Sequence, residues 1–271
     1  MPPQEFETLE LAFDGHVATV RLNRPGKANS MNPTFWVELK NCFEVLDSNP
    51  EARAIIISGN GSNFCAGLDL EMFGDLYGGL ELPSRRAEYF RKSVLASQSS
   101  LTALEKCRKP VLAAVHGACI GGGLDLVCCA DMRFVSDCAY FSVREIDLGM
   151  TADVGTLQRL PRLISDGLAR ELAYTGRNMY AAESKSAGFS NEIFAEKEKL
   201  LEGVMCVAQA IAAKSPLAIR GSKEMLLYSR DHSIADGLNY IATWNAGMLC
   251  AADLQEGIDA QRNRRNAVYQ D

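Results

Sequence analysis

The sequence predicts an α/β fold: a sheet-based core over residues 1–200, followed by a helical C-terminal region over 201–271. Three observations carry this. Short apolar runs that end at glycine alternate with helix-period segments as far as about residue 200, and beyond it every periodic segment is helical. The chain has 271 residues, 47% hydrophobic and 23% charged, which is an ordinary globular composition with length enough for a large core. Continuous apolar runs are expected of strands buried on both faces, hence of mostly parallel sheet.

The elements follow in order. Residues 9–23, LELAFDGHVATVRLN, read as two strands around Asp14-Gly15, a hairpin signal. Residues 33–49 place Phe35, Leu39, Phe43 and Leu46 on one helical face. ARAIIISG (52–59) is a buried strand, residues 86–107 form a long amphipathic helix, and PVLAAVHG (110–117) is a second buried strand. Gly121-Gly122-Gly123 leads into an apolar helical run, Leu124 to Ala130, and then into the strand-like MRFVS and AYFSVRE. The helices beyond 200 are strongly apolar (Met205, Val207, Ile211, Leu226, Leu227, Trp244, Met248, Leu249) and must pack on this core or on a neighbouring subunit.

Composition excludes several classes of function. A net charge of −6 opposes general binding to nucleic acid or anionic membranes. No apolar run reaches the roughly 18 residues that span a bilayer. The N-terminal MPPQEFETLE has neither a signal-peptide core nor an Arg-rich transit pattern, and the C-terminal VYQD is not a Ser-Lys-Leu type address. Nine cysteines without a Cys-x-x-Cys pair read as small buried hydrophobes of a reducing compartment. With only three scattered histidines (His16, His116, His232), no protein-held metal is expected.

Two glycine turns follow buried strands, GNGSNFCAGLDL (59–70) and HGACIGGGLDLVCCAD (116–131). Neither matches a Walker or Rossmann phosphate loop. They are either plain tight turns or, with N–H groups left open at a helix start, a seat for an anion or a developing oxyanion. Asp125 falls in the first turn of the helix, where it would complement the dipole. Glu145, in phase with Phe141 and Val143 on AYFSVRE, is expected on a buried face, which is costly for an unpaired acid. Asp153 reads as the N-cap of a helix over 154–160, and Asp147 as a solvated or capping acid.

FCAGLDL, followed some fifty residues on by HGACIGGGLDLVCCADMRF, resembles the paired signature of the crotonase, or enoyl-CoA hydratase/isomerase, superfamily. The likeness continues through REIDLGMTADVGTLQRLPRLI, LAYTGRNMYAAESKSAGF and SPLAIRGSKEML, and so covers the chain from VRLNRPGKANSMN onward. It implies a β-β-α spiral core that binds an acyl-CoA thioester, with helical C-terminal segments that build a trimer or a dimer of trimers. CoA belongs to the substrate, so no separate cofactor is expected. By position, the N–H groups of Leu68 and Gly122 would form the oxyanion hole. Lys27, Ala28, Ala66, Gly67, Leu68, Asp69, Leu70 and Gly122 would line the substrate site.

The acids place the chain within that family. A hydratase typically has glutamates at the positions of Asp125 and Glu145 and glycine at that of Asp153. The triple Asp125, Glu145 and Asp153 resembles the branch that isomerises 3,5-dienoyl-CoA to 2,4-dienoyl-CoA. The implied chemistry moves a proton from C2 to C6, Glu145 serving C2, Asp153 serving C6, and Asp125 tuning and orienting Glu145. Three alternatives stand beside this reading: a hydratase or Δ3,Δ2-enoyl-CoA isomerase, a non-catalytic acyl-CoA binder, and an RNA-binding relative. The last would need a basic helix face; Arg91, Lys92, Lys106, Arg108 and Lys109 are too scattered to form one. The implied setting is fatty-acid oxidation, in a mitochondrion or peroxisome of a eukaryote or in a bacterial cytoplasm.

Overall fold

The computed structural model describes residues 5–271. The hairpin forms as the sequence predicts: β1 (Leu9–Asp14) pairs antiparallel with β2 (Val17–Leu22). Helix α1 (Pro33–Ser48) starts at Asn32, whose side chain accepts the Phe35 N–H, with proline at the first helical position. Then come β3 (Ala54–Gly59), α2 (Pro83–Lys106), β4 (Val111–Val115), β5 (Ala118–Ile120), α3 (Gly122–Cys128), β6 (Met132–Ser136) and β7 (Tyr140–Ser142). Helix α4 (Thr156–Arg159), α5 (Asp166–Thr175), β8 (Met179–Tyr180), α6 (Ala181–Ser186) and β9 (Glu192–Phe194) complete the α/β part. Four helices close the chain: α7 (Lys197–Ala212), α8 (Pro216–Tyr228), α9 (Ile234–Met248) and α10 (Ala251–Arg262).

The strands form two sheets. The larger has six in the order β1-β2-β3-β4-β6-β9, parallel apart from the hairpin; the smaller has three in the order β5-β7-β8. Three strands of the large sheet each feed a short stretch of the small layer. β4 leads to β5, β6 leads to β7, and β3 leads to an isolated bridge between Cys65 and Cys119. Repetition of this step produces the spiral. It also brings the loops after β3 and β4, both at carboxyl ends of parallel strands, against each other, where such sheets hold ligands.

Alternation along the buried strands sorts their side chains to two faces. Ile55, Ile57, Val111, Ala113 and Val115 join α1, α2 and α3 in the main core, with Phe35, Phe43, Leu101 and Leu124. Ile56, Leu112, Ala114 and Phe134 face the other way, where Leu200, Val204 and Ala208 of α7 cover them. The 200/201 boundary therefore falls inside α7, which closes the sheet and belongs to the core. By contrast α9 buries none of its residues within this chain, and Leu226, Ile234 and Leu238 are largely exposed.

All nine cysteines are free thiols. Six are buried as expected, but Cys138 and Cys206 are exposed and Cys250 is half-buried. Burial pushes the thiols of Cys65 and Cys128 up to about 12, so they act as apolar packing and not as nucleophiles.

Candidate active site

The two glycine turns meet at one place. The Met31 N–H donates to Gly67 O (2.8 Å) and the Asp69 N–H donates to Met31 O (3.0 Å), which fixes the strand-like path of residues 67–69. Gly67 has φ +86, and a Cβ there would sit 2.9 Å from Ile120 O and 3.4 Å from Gly122 N. Glycine is thus required twice, for the left-handed backbone and for the approach of the two turns. Among the described residues, the N–H groups of Leu68 and Gly122 have no backbone acceptor, because the bridge engages only the neighbours of Leu68 and Gly122 opens α3. Two free donors on adjacent turns form the pair that an oxyanion needs.

These turns wall a cavity of about 500 Å³. Of the residues expected at a substrate site, Lys27, Ala66, Gly67, Leu68, Asp69, Leu70 and Gly122 line it. Ala28 does not; its carbonyl accepts the Ala66 N–H (2.9 Å). Phe73, Ile120, Leu148 and Met150 supply apolar lining. A larger cavity of about 990 Å³ lies among α8, α9 and α10, away from the acids.

Four acids line the smaller cavity, and three have cations. Asp69 pairs with Arg24 (2.9 Å), Glu71 with Lys27 (3.0 Å) and Asp147 with Arg144 (2.8 Å). The Arg24 guanidinium holds the Asp69 carboxyl below its usual range. Glu145 is the exception. It is 8% exposed, no ion pair is formed among the described residues, and its Oε2 has no hydrogen-bond partner. Burial raises its pKa, and the charge of Asp153 raises it further. Glu145 Oε1 lies 3.2 Å from the ideal Cβ position of Gly121, so glycine there makes room for the acid.

The route by which Glu145 reaches this position differs from the expectation. Strand β7 ends at Ser142, and Glu145 instead opens a 3₁₀ turn, Glu145–Leu148, closed by Gly149. The turn wins because Gly149 takes a left-handed conformation and its N–H and that of Met150 bond back to the turn carbonyls. The burial expected of Glu145 is present, but strand phase is not its cause.

Asp125 is completely buried, and its carboxylate makes no hydrogen bond to Glu145. Its Oδ1 accepts the Thr156 N–H (2.5 Å), so it caps α4 from a neighbouring helix. Asp153 is accordingly not the cap: α4 begins at Thr156, after Gly155, and no side chain of its own sequence caps it. Asp125 is pushed up to about 7, first by burial and then by the Glu145 charge, while Oδ2 finds no partner. Asp153 is half-buried outside the lining of the cavity, and burial raises it as well. Its charge raises both Glu145 and Asp125, so the three acids form one electrostatic unit.

Sequence reasoning missed the residues that hold the walls. Asn29 is buried in a left-handed conformation; its amide donates to Asn60 O, Asn63 O and Phe64 O (2.8, 2.9 and 3.1 Å), and its Oδ1 accepts the Arg24 N–H (2.9 Å). The Pro25-Gly26 turn and an asparagine just after it were the available signal.

A spiral of parallel strands that sets paired backbone donors beside buried acids defines the class of site that can offset a developing oxyanion. The sequence model of the enoyl-CoA hydratase/isomerase family matches residues 12–271, and the chain belongs to that family. It is 44% identical over 264 residues to the human mitochondrial Delta(3,5)-Delta(2,4)-dienoyl-CoA isomerase, covering 96% of this chain and 80% of that one. To the peroxisomal enzyme of the same name from Arabidopsis thaliana it is 41% identical over 275 residues, 99% of both chains. The crystal structure of an enoyl-CoA hydratase from Bacillus anthracis superposes with a TM-score of 0.89 at 30% identity, covering 97% of this chain and 99% of that one.

Proposed function

We propose that this protein is a Δ3,5-Δ2,4-dienoyl-CoA isomerase. The observation that carries the reading is the unpaired, buried Glu145 on a cavity whose other acids are neutralised, coupled to Asp153 and Asp125. The thioester oxygen lies between the N–H groups of Leu68 and Gly122. Glu145 takes the C2 proton, and the resulting dienolate spreads its charge to that oxygen, where the donors offset it. Asp153, whose pKa is raised by burial, gives a proton to C6. The C2–H pair becomes the 2,3 double bond, the 3,4 pair shifts to make the 4,5 double bond, and the 5,6 pair bonds the incoming proton at C6. Two acids are needed because the ends of the diene lie too far apart for one carboxylate.

Asp153→Asn tests this directly. With 3,5-dienoyl-CoA in D₂O, C2 exchange continues while C6 deuteration and overall turnover fall by about 10²–10⁴-fold. Normal isomerisation by this variant would overturn the two-acid mechanism. Crotonyl-CoA run alongside separates the hydratase reading, which requires hydration to exceed isomerisation.

The setting is the β-oxidation of unsaturated acyl chains, in a mitochondrion or peroxisome for a eukaryotic source and in the cytoplasm for a bacterial one. The open apolar face of α8 and α9 (Leu226 73%, Ile234 84%, Leu238 65% exposed) is the surface on which copies of the chain assemble into a trimer or a dimer of trimers. Sedimentation of the wild type then gives three or six times the 29.6 kDa chain mass, and Leu238→Glu shifts it toward one. An unchanged mass in that variant would place the contacts elsewhere.

A further inference from the structure

The segment that carries Asp153 has no regular structure of its own between Gly149 and α4, yet it is held at successive residues by other elements. Gln98 of α2 donates its Nε2–H to Asp153 O at 2.6 Å. Gly155 has φ +130, and the Arg159 guanidinium lies so close that a Cβ at 155 would overlap it. That guanidinium is fixed in turn by Glu105 of α2, with Nη2–Oε2 at 2.7 Å and Nε shared between both oxygens at 3.2 Å. Glu105 also takes Arg230, at the end of α8 (2.7 Å). Thr156 is tied to Asp125. The acid itself therefore has one direct tether to the long helix, and that tether is an uncharged amide on the backbone of the same residue.

Resting on the isomerase reading above, we propose that Gln98 is a positioning residue for the proton delivery step: its amide fixes the backbone of Asp153 so that the carboxyl is presented to the remote end of the acyl chain. A carbonyl bonded to an amide cannot swing with the loop, and a proton donor misplaced by an ångström loses much of its effect. Gln98 does not line the cavity and makes no hydrogen bond to Glu145 or to the paired N–H groups, so its influence is confined to one end of the reaction. That asymmetry distinguishes positioning from general support of the fold.

The test uses Gln98→Leu and Gln98→Glu with a 3,5-dienoyl-CoA in D₂O, following C2 exchange, C6 deuteration, kcat and KM. Gln98→Leu lowers kcat and C6 deuteration about tenfold, the cost of one hydrogen bond, while KM and C2 exchange stay at wild-type values. Gln98→Glu is the rescue. Its protonated form donates as the amide does, and its ionised form repels the same carbonyl, so C6 delivery is near wild type at low pH and falls as pH rises more steeply than in the wild type. Equal loss of C2 exchange and C6 deuteration in Gln98→Leu, or wild-type behaviour of both variants, overturns the proposal. Asp153→Asn in the same assay keeps the two readings apart. If it turns over normally, the role of Asp153 is wrong. If it is impaired while Gln98→Leu is not, only the role of Gln98 is wrong.

Discussion

Glu145→Gln lowers kcat for 3,5-dienoyl-CoA by about 10²–10⁴-fold with KM little changed, because the amide keeps the shape of the acid and removes its basicity. The effect falls on C2: exchange of that proton with solvent stops, whereas Asp153→Asn leaves it running. The expectation rests on Glu145 being the cavity acid without a cation, with Oε2 unpartnered. Binding survives because the apolar wall of Phe73, Ile120 and Met150 and the two backbone donors are untouched. Retention of C2 exchange in the variant would move the base to another group.

Asp125→Asn makes the protein more stable at pH 8, although it alters a fully buried residue. The sign follows from linkage. A carboxyl raised from 3.8 to about 7 holds its proton more tightly in the folded state than in the unfolded chain. Folding is therefore unpenalised below the unfolded value and loses stability as pH rises through the interval up to about 7. That interval corresponds to at most about 4 kcal/mol. Asparagine cannot ionise, and its Oδ1 still accepts the Thr156 N–H, so most of the penalty disappears. Urea unfolding at pH 8 and pH 4 measures it: the variant gains on the order of 2–4 kcal/mol at the higher pH and nothing at the lower. A difference that is the same at both pH values would show that the ionisation of Asp125 is not its source.

The strands that build the sheet were legible because they are continuous apolar runs, as at Ile55 to Ile57 and Val111 to Val115, and the glycines that bring the two turns together stand out in composition alone. The partners of the acids were not legible. Thr156 meets a carboxylate 31 residues earlier, and Gln98 meets a carbonyl 55 residues later, separations that no local pattern encodes. Local rules even misled: aspartate just before a helix is a favoured cap, yet Asp125 already occupied the place that Asp153 would have filled. The apolar alternation likewise runs on through Glu145, because the left-handed Gly149 that closes the 3₁₀ turn lies beyond it. Exposure of α9 was legible only as an alternative, since an apolar helix looks the same whether its own chain or another covers it.

The cap on α4 has a consequence for how charge and shape are kept apart. The oxygen of Asp125 that receives the Thr156 N–H is one of two, and the second, Oδ2, stands without a partner. A proton can come and go on that free oxygen while the first keeps its grip on the helix. The field around Glu145 and Asp153 thus gains or loses one negative charge with each titration, while the Thr156 N–H keeps an acceptor in Oδ1. The buried carboxyl works as an adjustable charge on a fixed mount.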